Sequence, residues 1–260
     1  MIRRPHQYLA LKLSEQRLVN WSYIKKRMKI FVISLPEAIS RRALIAQQMA
    51  ALGLTYTLVE GVRPDLAQLD KTGYLHRERL RRYGYAMARG EIGCFLAHRS
   101  AWRLVQKQTE KCLILEDDAV LSGLSPALFD SLNASPYSMV RLAGMIHKKY
   151  KLIAGTVFAK YWGDPAGSAA YVLGSQEATR LLEKSESFFM AVDDFLEARH
   201  VHGINTYAVL PYPVWQAGTD TQIIDRGRPQ LSISMRLHRM LVRIPIDINK
   251  YFHRLVYYVG

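Results

Sequence analysis

The sequence has little cysteine, no long apolar run and no phosphate-binding loop, and each shortage excludes a class of protein. Its 260 residues include only Cys94 and Cys112, with no CxxC pair. That rules out a disulfide framework and fits a reducing compartment. No run of about 18 apolar residues occurs, so a transmembrane helix is not expected. The amino end shows no apolar leader centre with a small-residue cleavage site, which makes a cytoplasmic location the expectation. The pattern GxxxxGK followed by Ser or Thr is missing, as are internal repeats and low-complexity tracts.

What is present is a chain with 49% hydrophobic residues, enough to bury the core of one large domain. Its net charge of +14 is unevenly spread. Residues 1–27 carry seven Lys or Arg against Glu15, and residues 226–260 carry seven against Asp247, so each end holds +6 and the body, 28–225, holds +2. The chain therefore reads as a basic N-terminal extension (1–27), a near-neutral globular body (28–225) and a basic amphipathic C-terminal segment (226–260). Met28 directly precedes a strand signal, so residues 1–27 are either an appended arm or lie ahead of the natural start.

Basic ends suit anionic partners, either nucleic acid or an anionic membrane face. In SMRLHRMLVRIPIDINKYFHRLVYYVG (234–260), Arg and His alternate with large aliphatic and aromatic residues. That mixture resembles an interfacial helix more than a nucleic-acid tail, and no specific nucleic acid is expected. The other reading is a basic helix docked on the domain itself. Pro245 is expected to interrupt or kink any helix there.

Along the body, Ile30–Ile33 predicts a buried strand, 41–52 a helix stopped by Gly53, and Thr55–Val59 a second strand. This β-α-β opening implies a parallel pair. Residues 61–89 are polar and basic and read as an insertion over one end of the sheet. Ile92, Phe95, Leu96, Trp102 and Val105 form a helical stripe over 90–105. Strands are predicted at Leu113–Leu115, Ser138–Leu142, Ala169–Leu173 and Asn205–Val209, with helices from Ala178 and through VDDFLEARH (192–200). The alternation indicates an α/β fold with a mostly parallel central sheet, which binds ligands at the carboxyl ends of its strands.

One such end carries the most informative residues. LILEDDAVL (113–121) ends an apolar strand in Glu116, Asp117 and Asp118. Adjacent negative charges repel, and a solvated turn or a bound cation relieves them. Mg²⁺ or Mn²⁺ prefers carboxylate oxygens together with substrate phosphate. Side chains at i and i+2 of an extended strand share a side, so Glu116 and Asp118 are placed to converge while Asp117 points elsewhere. Cys94 and His98 stand at i, i+4, a zinc-like spacing, but no second ligand pair follows.

Several segments, in order, resemble glycosyltransferase family 25, the lipopolysaccharide and lipooligosaccharide enzymes that include β-1,4-galactosyltransferases. They are FVISLPEAISRR (31–42), GEIGCFLAHRSAW (90–102), LILEDDAV (113–120), GSAAYVLGSQEATRLL (167–182), AVDDFL (191–196) and PVWQAG (213–218). The resemblance implies a GT-A-like, Rossmann-related single domain using a UDP-sugar, UDP-galactose above all, with Mn²⁺ or Mg²⁺. Glu116 and Asp118 are the implied metal ligands. Ser34, Leu35, Arg41, Arg42, Glu91, His98, Asp117 and Gln216 are candidates for donor binding, and Asp193, with Asp194 second, for the base on the acceptor hydroxyl. A plain helix N-cap is the alternative for either aspartate. Tyr171 and Trp162 are candidates for stacking on sugar, though core packing suits Tyr171 better, and Asp220, between Thr219 and Thr221, is a candidate metal or acceptor contact. The sequence departs from the family pattern at Ala97, where Ser is common, and at Ala191, where Pro is common.

The implied partners are a UDP-sugar donor, a lipid-linked saccharide acceptor and an anionic membrane surface, giving a peripheral enzyme on the inner face of the cytoplasmic membrane. Two other functions compete. A non-enzymatic basic nucleic-acid-binding protein leaves the strand-end carboxylates unexplained. A metal-dependent nucleotidyl or phosphoryl transferase has no need of an acceptor-side base such as Asp193.

Overall fold

The computed structural model describes residues 28–144, 148–163, 166–217 and 233–259. In chain order the elements are β1 (Lys29–Ser34), α1 (Ile39–Ala51), β2 (Thr57–Glu60), a 3-10 segment (Leu66–Thr72), α2 (His76–Tyr83), α3 (Arg89–Val105), β3 (Cys112–Glu116), β4 (Ala119–Leu121) and α4 (Pro126–Ala134). They continue with β5 (Met139–Arg141), β6 (Tyr150–Leu152), β7 (Phe158–Tyr161), β8 (Ala170–Leu173), α5 (Ser175–Lys184), α6 (Val192–Leu196), α7 (Arg199–His202), β9 (Tyr207–Val209), β10 (Val214–Gln216) and α8 (Ile233–Val259).

Eight strands form one sheet in the order β2-β1-β3-β8-β5-β9-β7-β6, and β10 and β4 form a separate antiparallel ribbon. The sheet is mixed. β1 pairs in parallel with β2 and β3, and β5 with β9. β8 runs antiparallel to both β3 and β5, and β7 is antiparallel to β6 and β9. The expected parallel arrangement therefore holds for the β2-β1-β3 half. Beyond β3 it survives only in the β5–β9 pair, because β8 lies antiparallel between β3 and β5 and the β6-β7 hairpin adds antiparallel to β9.

Helices cover both faces of the sheet, which is why its central strands read as unbroken apolar runs. Phe31, Ile33, Ile114 and Tyr171 pack with Phe95 and Trp102 of α3 and Leu181 of α5. Ile30, Val32, Leu113, Leu115 and Val172 point the other way, onto Ile45 and Met49 of α1 and Phe129 of α4. Residues alternate between these two cores along each strand, and that parity also governs the polar residues beyond the strand ends.

α3 lies tight against the sheet's carboxyl end. A Cβ on Gly93 would stand 2.3 Å from the Val62 carbonyl oxygen, so only glycine admits that approach. The region 61–89, expected as a polar insertion, contains the 3-10 segment and α2, and VDDFLEARH divides into α6 and α7. α8 continues through Pro245. A proline there forfeits the bond to the Leu241 carbonyl, and Leu241 is exposed, so water can satisfy that oxygen.

Candidate active site

The three carboxylates leave β3 in three directions. Glu116 has the parity of Ile114 and faces α3. Its Oε1 lies 3.3 Å from His98 Nε2 and accepts a hydrogen bond from the Ser168 hydroxyl. Asp117 has the parity of Leu115 and faces α1. There its Oδ2 accepts from Ser34 Oγ at 2.5 Å and its Oδ1 pairs with Arg41 at 3.2 Å. Arg42 completes that latch by donating to the Ser34 hydroxyl at 3.2 Å and the Ser34 carbonyl at 3.1 Å.

Asp118 sits in the turn between β3 and β4. The ribbon with β10 sets Gln216 opposite Ala119, and Gln216 Nε2 donates to Asp118 Oδ2 at 2.8 Å. The other oxygen, Asp118 Oδ1, is buried and accepts no hydrogen bond. Burial, and after it the Glu116 charge, pushes the Asp118 carboxyl up to about 6. Glu116 moves the other way: burial would raise it, but hydrogen bonds from His98 and Ser168 hold it below the usual range.

His98 is wholly buried and has no open face for a substrate. Trp102 Nε1 donates to the Tyr171 hydroxyl at 2.8 Å, and that hydroxyl lies 2.8 Å from His98 Nδ1. The Tyr171 hydroxyl, having accepted from Trp102, has its own O–H to donate to Nδ1, the tautomer in which Nε2–H is directed at Glu116. The chain Trp102–Tyr171–His98–Glu116 thus orients the carboxylate from within the core. Tyr171 is accordingly a core residue, and Trp162 packs edge-on against Tyr251 and Tyr258 of α8.

The other predicted residues have clear places. Glu91 caps α3, its Oε2 accepting from the Ala88 N–H at 2.8 Å. Leu35 packs on Gly61, whose N–H bonds the Ser34 carbonyl. Ala191, not an aspartate, occupies the N-cap of α6. Asp193 is half-buried, with Oδ1 accepting from the Asp194 N–H at 3.0 Å, and Asp194 is exposed. Asp193, Glu116, Asp118 and Glu91 all lie near enough to Cys94 for their charges, after burial itself, to push its thiol well above the ordinary range. The start of α6 and the end of β3 therefore both lie within electrostatic reach of the Cys94 thiol on α3. Asp220, Thr219, Thr221 and residues 1–27 lie outside the described residues.

Two donor sets could hold a cation. Ligand atoms of Cys94, His98 and Glu116 lie within 4.8 Å of one another. Burial and the neighbouring carboxylates hold the thiol well above its ordinary range, which makes it a weaker ligand, and both His98 ring nitrogens are engaged. Asp118, with one oxygen pinned by Gln216 and the other buried without a donor, beside Glu116, fits a hard cation such as Mn²⁺ or Mg²⁺ better. Arg41 reaches the same place: its charge acts on Glu116, Asp117 and Asp118, and its Nε is buried without an acceptor.

One contributor escaped the sequence reading. Ser168 reaches Glu116 from the residues leading into β8, a contact that no local pattern announces.

Comparisons with known proteins agree on one family. The sequence model of glycosyltransferase family 25 (LPS biosynthesis protein) matches residues 27–196. A glycosyltransferase 25 family member of Drosophila pseudoobscura pseudoobscura is 34% identical over 86% of this chain and 40% of its own length. One of Drosophila melanogaster is 27% identical over 76% of this chain and 37% of its own. Human procollagen galactosyltransferase 2 is 31% identical over 35% of this chain and 15% of its own. The chain thus spans two fifths or less of the length of these curated relatives.

Proposed function

Because this chain belongs to glycosyltransferase family 25, we propose that it moves a hexose from a UDP-sugar to a hydroxyl of a lipid-linked saccharide. Galactose is favoured by a relative named as a galactosyltransferase. A lipopolysaccharide or lipooligosaccharide core is favoured by the family's description. The observation that carries the reading is Asp118, a carboxylate with one oxygen fixed by Gln216 and the other buried and unpartnered at a strand end beside Glu116.

Glu116 and Asp118 would hold Mn²⁺ or Mg²⁺. When bound, the cation supplies Lewis-acid neutralisation of charge on the departing diphosphate. The chain's own residues do the remainder. Gln216 orients Asp118, and His98 with Ser168 orients Glu116. The unpartnered Nε of Arg41 is a charged donor for a diphosphate oxygen. Asp117 keeps β1, α1 and β3 in register rather than touching the donor.

Asp193 serves as the base, with Asp194 second because Asp193, and not Asp194, is among the charges that act with Glu116 and Asp118 on Cys94. The acceptor oxygen forms its bond to the anomeric carbon and the carbon–oxygen bond to the diphosphate breaks. UDP leaves with that electron pair, and the hydroxyl proton passes to Asp193. Attack from the face opposite UDP inverts the anomeric centre. Family membership favours this chemistry over nucleotidyl transfer or nucleic-acid binding.

Calorimetry of UDP binding, with and without Mn²⁺, tests the reading on the wild type, Asp118→Ala and Asp193→Asn. Binding is expected to require Mn²⁺, to vanish in Asp118→Ala and to survive in Asp193→Asn. Asp193→Asn should lose transfer by at least about 100-fold. Wild-type protein that ignores UDP in the presence of Mn²⁺ overturns the donor assignment, and metal-independent binding overturns the cofactor.

A further inference from the structure

α8 shows an unpartnered apolar stripe on a helix whose opposite side is docked. Leu241, Ile244, Ile248, Phe252, Leu255 and Val259 recur at intervals of three and four residues, and each is at least 37% exposed. The docked side is half a turn away. Tyr257 is buried, donates its hydroxyl proton to the Thr206 carbonyl at 2.5 Å and lies under the Arg199 guanidinium at 3.6 Å. Lys250, on that side, is close enough to Asp194 of α6 for its charge to act on it.

The occupant of the stripe is constrained by charge. Residues 226–260 hold seven Lys or Arg and one acid. A second copy of the helix would bring two such segments together, and their repulsion opposes self-association. An anionic surface is instead attracted, at a range comparable to the helix diameter of about 10 Å. No described helix is long and apolar enough to cross a membrane. A basic helix with an apolar stripe and Tyr and Phe on its exposed side has the chemistry of an element that lies in the headgroup layer.

We infer that α8 docks the protein onto an anionic lipid bilayer, the Leu241–Val259 stripe entering the headgroup layer. The inference stands on the helix and does not depend on the transfer reaction. With the function proposed above, it sets the enzyme on a membrane that carries a lipid-linked saccharide.

Flotation of the full chain with vesicles tests this. One vesicle set is phosphatidylcholine alone and the other contains about 30 mol% phosphatidylglycerol. Binding is expected only to the anionic set. It should weaken in about 0.5 M NaCl and fall at least about tenfold in Ile248→Glu and Phe252→Glu, exposed positions whose circular dichroism should stay unchanged. Ile39→Glu, at an apolar residue 70% exposed on α1, should bind as the wild type does. Equal binding to both vesicle sets, or undiminished binding by the α8 variants, overturns the inference. So does a wild-type dimer that Ile248→Glu disperses without any vesicle binding, which would assign the stripe to a second copy.

Discussion

Asp118 is a carboxylate whose surroundings oppose its ionisation. Its pKa of about 6 stands above the unfolded value because burial, and then Glu116, oppose ionisation. Its contribution to metal-free stability is therefore fully present below about pH 4 and is lost as pH rises through about 6. Asp118→Asn removes the charge and keeps the shape. At pH 7 the metal-free variant should be more stable than the wild type by about 1–3 kcal/mol, and the advantage should shrink towards pH 4. Urea melts of both proteins at the two pH values check this, and a variant less stable than the wild type at pH 7 contradicts it. The same proton must leave before a cation binds, so Mn²⁺ affinity should fall as pH drops below about 6. Gln216→Ala frees the oxygen that the amide pins and should weaken Mn²⁺ binding by about 10–100-fold, read by calorimetry with little change in melting temperature.

Between elements, Tyr171 is the tie. It stands on β8 and joins two residues of α3, Trp102 and His98, through one hydroxyl, while His98 carries the connection on to Glu116 of β3. Tyr171→Phe leaves the Trp102 N–H and His98 Nδ1 buried without that partner, at about 1–3 kcal/mol for each group. We expect a loss of about 2–4 kcal/mol in urea unfolding together with weaker metal binding, because Glu116 loses the support that fixes its rotamer. Unchanged metal affinity would mean that Ser168 alone holds Glu116. The long elements were legible in the sequence. β1, β3 and α3 announce themselves by unbroken apolar runs or a helical stripe. β4, β6, β7 and β10 have three or four residues each, too few to show a period, and their pairing is decided across the fold.

For the molecule as a whole, the two cores are built from apolar side chains and neither includes Glu116 or Asp118. Chelation with EDTA should therefore abolish Mn²⁺-dependent UDP binding while leaving far-ultraviolet circular dichroism unchanged. A loss of ellipticity would give the metal a structural role instead. The charge imbalance also belongs to this scale. A body of +2 with two ends of +6 concentrates the basic charge in the terminal segments of the sequence, so raised salt should weaken association with anionic surfaces before it affects donor binding.

The sequence by itself determined the order of the main elements, the burial of β1 and β3, the position of three carboxylates at a strand end and the family of the chain. These depend on local periodicity and on motifs of a few residues. Strand alternation also separated Asp117 from its two neighbours in advance. Only the tertiary structure decided what each carboxylate meets. The partners of Asp117 and Asp118, Ser34 and Gln216, stand 83 and 98 residues away. His98, which reads on its own helix as either a ligand or a core histidine, is a buried support for Glu116 because β8 brings Tyr171 against it. Such pairings arise when the sheet closes and sets distant segments side by side, and no window of neighbouring residues encodes them.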